Sequence, residues 1–306
     1  MKSITAKPNK KAAFTIVELL TVMSIIVILI GLLVPALNQV RKFAREVRQQ
    51  AQFNSINVAI ELFNSEFDSL PDSGATDPVG TSYCGAMKLA EAMVGQDLMG
   101  FHPDSVFMSN GRDLSGQRQL YHNTQGQPID IDTNARKGPY LPIENANAYR
   151  LQDIYRETNT GPFEPSHFVL CDVFGRVTHT GTGKRIGMPI LYYKANTANT
   201  MHDIQNPDDT DNIYDYHDNQ ELLLLGKPWD PPGGVGEPHK LAIEDGKPGV
   251  RFYMNTWNDQ VTTRNRPYRA DTYILISAGN DGEYGTADDI CNFDWKYRDL
   301  TQIPQN

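Results

Sequence analysis

The chain has 306 residues, 28 Lys and Arg against 37 Asp and Glu, a formal charge of −9 and three cysteines. So acidic a chain is excluded from binding nucleic acid by phosphate neutralisation, which needs a basic face. Cys84, Cys171 and Cys291 lie too far apart in sequence for any two to have metal-ligand spacing, which excludes a structural zinc set.

Residues 1–13 read as a basic leader, with Lys2, Lys7, Lys10 and Lys11 and no acid. Its removal takes the side-chain charge to −13. Glu18 then stands at the head of an apolar run that reaches Leu37 without another ionisable residue. About 20 apolar residues at ~1.5 Å each span a hydrocarbon core of ~30 Å. Residues 14–37 therefore read as the transmembrane half of a helix. The leader lysines hold the amino end on the cytoplasmic side and put the rest of the chain across the membrane. A secretory signal cut near Val34-Pro35-Ala36 is the competing reading. The run is longer than an h-region of roughly 7–15 residues, and it continues into a second helical pattern. A charge deep in a bilayer costs ~2.5–3.5 kcal/mol, so Glu18 is expected to have a specific role. Pro35 lacks an N–H and crowds the Gly31 carbonyl. That leaves two readings, a kink or local melt at Gly31–Pro35 and a tolerated membrane proline.

Residues 38–67 read as the amphipathic half of the same helix. Leu37, Val40, Ala44, Val47, Ala51, Val58 and Leu62 recur at three- and four-residue steps, with Asn54 at the polar seam position. Phe43, Ile56, Ile60, Phe63 and Phe67 widen the stripe, which needs a soluble domain to lean on. Pro71-Asp72-Ser73-Gly74 stops the helix. Residues 68–165 read as a variable insertion with one short helix, Ala86–Leu98. Residues 166–306 read as β-rich, with strand candidates His167–Cys171, Met188–Lys194, Glu221–Leu225 and Tyr273–Ser277. Antiparallel strands packed on the amphipathic half-helix make the fold class α+β. The cysteines either form one disulfide in an oxidising compartment or remain three buried thiols.

Three aspartates and three glycines crowd the stretch between Ser277 and Ile290. Calcium takes six to eight oxygens at about 2.3–2.6 Å. Asp281, Asp288 and Asp289 would supply the charge, and carbonyls such as those of Ala278 and Thr286 would complete the shell. Glu283 reads as solvent-facing. A solvated Asp–Gly turn is the other reading. A second acidic run, Asp208-Asp209-Thr210-Asp211 through Asp215 and Asp218, reads as a solvated loop. Gly181-Thr182-Gly183-Lys184 is followed by Arg185, where a phosphate loop needs Ser or Thr, and no hydrolase motif occurs. The chain is therefore expected not to be an enzyme. A membrane-tethered periplasmic hydrolase, built from residues brought together by folding, is the remote reading.

Ala13-Phe14-Thr15-Ile16-Val17-Glu18 resembles the class III prepilin signal of type IV pilins and type II secretion pseudopilins, with Ala13 where that family normally has Gly. The resemblance implies cleavage by prepilin peptidase between Ala13 and Phe14 and methylation of the Phe14 amine. It also implies that Glu18 pairs with the terminal amine of a neighbouring subunit. Pro35 falls where many members carry a helix-breaking proline. Cys171-Asp172-Val173-Phe174-Gly175 with Pro189-Ile190-Leu191-Tyr192-Tyr193 resembles a pseudopilin turn and strand. Asp281 and the Asp288-Asp289 pair resemble the calcium loop of major pseudopilins. A pilin-like fold and a single-pass inner-membrane location with a periplasmic carboxyl-terminal domain follow from the resemblance. So do a bound calcium ion and polymerisation with its own copies and other pseudopilins on an inner-membrane secretion platform. A type IV pilin or minor adhesive pilin is the alternative.

Overall fold

The computed structural model describes residues 15–122, 133–229, 236–294 and 296–302. In chain order the elements are α1 (Ile16–Phe67), α2 (Gly85–Val94), α3 (Ile143–Ala146), β1 (Ala148–Arg150), α4 (Leu151–Tyr155), β2 (Phe168–Leu170), β3 (Val177–Thr178), β4 (Arg185–Ile186), β5 (Leu191–Lys194), α5 (Gln220–Leu224), β6 (Ile243–Glu244), β7 (Lys247–Pro248), α6 (Val250–Thr256), β8 (Tyr273–Ser277) and β9 (Ile290–Cys291). The fold is mixed α+β, with a long amino-terminal helix and antiparallel sheets, as expected of a pilin-like chain. It divides into two compact units, Met1–Ala44 and Arg45–Asn306.

In the first unit the described residues are the leading turns of α1. Every residue from Thr15 to Ala44 is exposed. The helix runs unbroken through Gly31 and Pro35. A helix that is apolar all round needs a lipid or protein environment, because water cannot solvate it cheaply.

The second unit is organised around a three-stranded antiparallel sheet in the order β5–β8–β9. Leu191 pairs with Ile276, Lys194 with Tyr273, and Ile276 with Cys291. Both faces of the sheet are covered, so β5 and β8 are apolar almost throughout rather than alternating. One face, with Tyr192, Tyr273 and Leu275, packs on Phe53, Ile56, Ile60 and Phe63 of α1 and on Leu89 and Met93 of α2. The other, with Leu191, Tyr193, Ile274 and Ile276, packs on Phe252 and Met254 of α6 and on Leu151 and Ile154 of α4. The smaller pair β1–β2 is joined to this sheet through the Cys171–Pro189 bridge and an Ile190 amide bonded to the Leu170 carbonyl at 2.7 Å.

Two expectations need correction and two others become more definite. The heptad-spaced residues Val47, Ala51, Val58 and Leu62 face outward, and the buried stripe is Gln49, Gln52, Phe53, Ile56, Ala59, Ile60 and Phe63. Two aromatics and two isoleucines remove more apolar surface from water than the smaller seam residues would. Segment 68–165, expected to be a variable insertion, contributes to the core. All ten residues of α2 are buried, and β1 from the same segment pairs with β2. Glu221–Leu225 is not a strand, because the chain is already wound by a 3₁₀ turn over Tyr216–Asn219, capped by Asp215, and continues into α5. Its leucine run has no alternation to favour a sheet. Of the two readings left open for the cysteines, the structure shows three free, buried thiols.

The remaining elements fall close to expectation. Tyr273–Ser277 is β8, His167–Cys171 contains β2, and Met188–Lys194 contains β5. The short helix starts at Gly85 and stops at Val94, where Gly95 turns the chain with φ 82°. Helix α1 ends at Phe67 because Asp68 adopts a left-handed conformation, three residues before Pro71.

Candidate functional site

Two segments carry the chemistry. The first is the start of α1. Ala13 and Phe14, the expected processing pair, lie outside the described residues. Thr15 and Glu18 form a reciprocal cap. The Glu18 amide donates to Thr15 Oγ1 at 3.2 Å, and the Thr15 amide donates to Glu18 Oε2 at 2.9 Å. The Thr15 hydroxyl adds a bond to the same oxygen at 2.7 Å. Thr15 and Glu18 together therefore satisfy two amides at the start of α1 within the chain itself. The Thr-x-x-Glu spacing that signals this cap is present in the sequence, and reading Glu18 only as a charge missed it.

The second is the loop from Ser277 to Ile290, between β8 and β9. Gly279 starts it with φ 63°, and a Cβ there would collide with the Asp288 carbonyl. Asp288 Oδ2 accepts the amides of Asn280 at 2.8 Å and Asp281 at 3.0 Å. The Thr286 hydroxyl stands 2.9 Å from Asp281 Oδ2 and 2.8 Å from Asp288 Oδ1. One hydroxyl has one proton, so it can donate to only one of these two carboxylates at a time. Burial and the charge of Asp288 push the Asp281 carboxyl upward. Burial also opposes ionisation of Asp288, but hydrogen bonds from Asp281, Thr286 and the loop amides hold it below the usual range.

Asp289 behaves differently. It is 5 % exposed, and its Oδ2 accepts the Gly285 amide at 2.7 Å. Burial pushes its carboxyl well up, and its Oδ1 has no hydrogen-bond partner among the described residues. Thr286 enters the loop through its hydroxyl, while its carbonyl accepts the Asp289 amide at 3.5 Å. Ala278 is fully buried. Glu283 is not solvent-facing but sits 3.5 Å from Lys227 with a fifth of its side chain exposed. The structure thus brings Asp281, Asp288 and Thr286 together. Among the described residues no group of three or more His, Cys, Asp or Glu converges as a metal centre.

A neighbouring carboxylate, Asp172, is marked in the sequence only by the resemblance of its turn. Asp172 is buried in the turn after β2 and accepts the Ser277 hydroxyl at 2.8 Å, the Phe174 amide at 3.0 Å and the Met188 amide at 3.2 Å. Burial outweighs these bonds and pushes it up to about 7. It ties the turn to the last residue of β8, where the acidic loop begins. Nothing local in Cys171-Asp172-Val173 announces that partner, because Ser277 is over a hundred residues away.

The loop is also fastened to α1. Arg45 Nη1 donates to Asn280 Oδ1 at 3.1 Å, and Gln50 Nε2 to the Cys291 carbonyl at 3.4 Å. Gln49 Oε1 accepts the Val173 amide, and Gln52 Nε2 donates to the Cys171 carbonyl at 2.9 Å.

Residues 8–34 match the prokaryotic N-terminal methylation motif. This signal marks precursors of the type IV pilin and pseudopilin kind, which prepilin peptidase processes and which assemble into pilin-like polymers. Such chains are structural subunits rather than enzymes. With one helix among the described residues long and apolar enough to cross a membrane, the chain fits a single-pass inner-membrane protein. No curated protein and no solved structure matches the chain.

Proposed function

We propose that the chain is a subunit of a type II secretion pseudopilus, with its larger unit in the periplasm. After cleavage between Ala13 and Phe14, α1 holds the subunit in the inner membrane and then packs among the helices of other copies and other pseudopilins. An inner-membrane assembly platform drives that transfer. The observation that carries this reading is the methylation motif followed by a helix exposed on all sides from Ile16 to Val40. Polymerisation buries that surface without leaving it in water. Glu18 meets the terminal amine of a neighbour in the filament, which offsets the cost of a charge in an apolar environment.

The acidic loop favours a major pseudopilin over a type IV pilin. Asp281 and Asp288 contest one proton, and a calcium ion held between them supplies the positive charge that the arrangement lacks. Asp289 Oδ1, buried and unpartnered, is a further oxygen close in sequence.

The test is the mass of the mature amino terminus. A chain that begins at methylated Phe14 supports the reading. A chain that begins after Ala36 has discarded the helix, and the filament role goes with it.

A further inference from the structure

Charge is segregated along the larger unit. Residues 173–193 contain no Asp or Glu but include Arg176, Lys184 and Arg185. Residues 195–226 contain no Lys or Arg but seven acids, among them Asp208, Asp209, Asp211 and Asp215. The fold brings each group to the surface at a different place.

The positive group is the tip of a hairpin. Strands β3 and β4 pair through Val177–Ile186 and Thr178–Arg185, leaving 179–184 as the turn. Lys184 and Arg185 are exposed. The Lys184 ammonium lies 6.0 Å from the centre of the Tyr149 ring, and Arg185 Nη2 donates to the Arg176 carbonyl at 3.3 Å. No carboxylate pairs with either among the described residues. The hairpin's ion pair is His179 with Asp153 at 3.4 Å.

The negative group is the loop between β5 and α5. Asp208, Asp211 and Asp215 are exposed and Asp209 is half-buried. Their contacts are local. Tyr216 donates to Asp208 at 2.9 Å, the Asp211 amide to Asp209 at 2.9 Å, Asp215 caps His217, and the His217 ring lies 2.7 Å from Asp215 and 3.6 Å from Asp208. Lys194 lines the same cleft, but its ammonium donates to the Leu70 carbonyl at 3.3 Å. The cleft beside the hairpin and the cleft beside the acidic loop share no lining residue. Among the described residues no carboxylate forms an ion pair with Lys184 or Arg185, and no lysine or arginine forms one with Asp208, Asp209 or Asp211.

We propose that the β3–β4 tip of one copy docks on the acidic β5–α5 loop of the next copy, Lys184 and Arg185 facing Asp208, Asp209 and Asp211. The inference rests on the polymer reading and deepens it. Copies that each carry −13 after processing repel one another, so a repeated contact needs local charges of opposite sign. Two unlike surfaces on one chain join head to tail, and such a contact propagates into an open filament when its rotation does not close. Complementary charge of this exposed kind sets register and approach more than strength.

The experiment uses the full-length chain in membranes that support assembly, treated with a zero-length carbodiimide that joins amine to carboxylate. The unmodified chain should give a multimer ladder whose linked peptides join Lys184 to Asp208, Asp209 or Asp211. The double reversal Lys184→Glu with Arg185→Glu should reduce the ladder at least fivefold, as should Asp209→Lys with Asp211→Lys. The neutral pair Lys184→Gln with Arg185→Gln should remove that link with the gentlest change to the hairpin. Combining the two reversals should restore the ladder. A ladder that forms without the Lys184 link, or persists through both reversals, overturns this contact and leaves polymerisation standing. No ladder from the unmodified chain removes both.

Discussion

Glu18 answers to two demands at once, because one carboxylate caps α1 and is also the charge expected to meet a neighbour's amine. Glutamine keeps the capping geometry, since its carbonyl accepts the Thr15 amide as well, but it has no charge. Glu18→Gln should therefore leave the monomer in the membrane at normal abundance and cut filament yield at least tenfold. Unchanged yield would assign Glu18 to the cap alone. Asp172 makes a second prediction at this scale. Its ordinary value is 3.8 and its folded value about 7, so between those limits the folded chain holds a proton that the unfolded chain has released. Stability from this group is present in full below about pH 4, falls as the pH rises to about 7, and is flat above. Asp172→Asn abolishes the slope. In denaturant titrations of detergent-solubilised protein, the variant should gain on the parent by a few kcal/mol, as an order of magnitude, between pH 4 and pH 7. A difference that does not change with pH would show that Asp172 does not titrate there.

At the scale of elements, α1 carries two adjacent apolar stripes and the globular unit takes only one. Phe53, Ile56, Ile60 and Phe63 are all at most 2 % exposed, whereas Val58 is 57 % exposed. Phe53→Ala should cost about 3–5 kcal/mol of stability, as a large-to-small change in a packed core does. Val58→Ala should stay within about ±0.5 kcal/mol in the monomer. Thermal unfolding of both variants checks this, and equal losses would mean that the outward stripe is also packed. Helix α2 makes the same point for segment 68–165. Its Lys88 pairs with Asp72 and its Glu91 accepts from Tyr83 at 2.7 Å, so even its charged residues are satisfied inside the unit. The charges and weak period of this region read as a surface insertion because the sequence does not reveal buried partners for them.

For the whole molecule, the acidic loop closes β8 onto β9 and reaches α1 through Arg45. On the calcium proposal, a cation bound there would stabilise the folded state by mass action. The parent should melt several degrees higher in millimolar calcium than in chelator. Asp288→Ala should melt lower than the parent in calcium and lose the difference between the two buffers. Equal melting of the parent in both buffers would remove calcium from the account.

What the sequence determined by itself was the amino-terminal signal, the membrane-length helix, the strand Tyr273–Ser277 and the loop that follows it. All of these are local patterns, with charge, apolar length, β-branching and glycine spacing readable within a few turns or a single strand. Tertiary structure decided which stripe of α1 is buried, that α2 belongs to the centre, that 220–224 winds into a helix, and that Asp172 meets Ser277. Those outcomes depend on surfaces supplied from distant parts of the chain, and the choice between two adjacent apolar stripes goes to the one whose burial against them removes more surface from water.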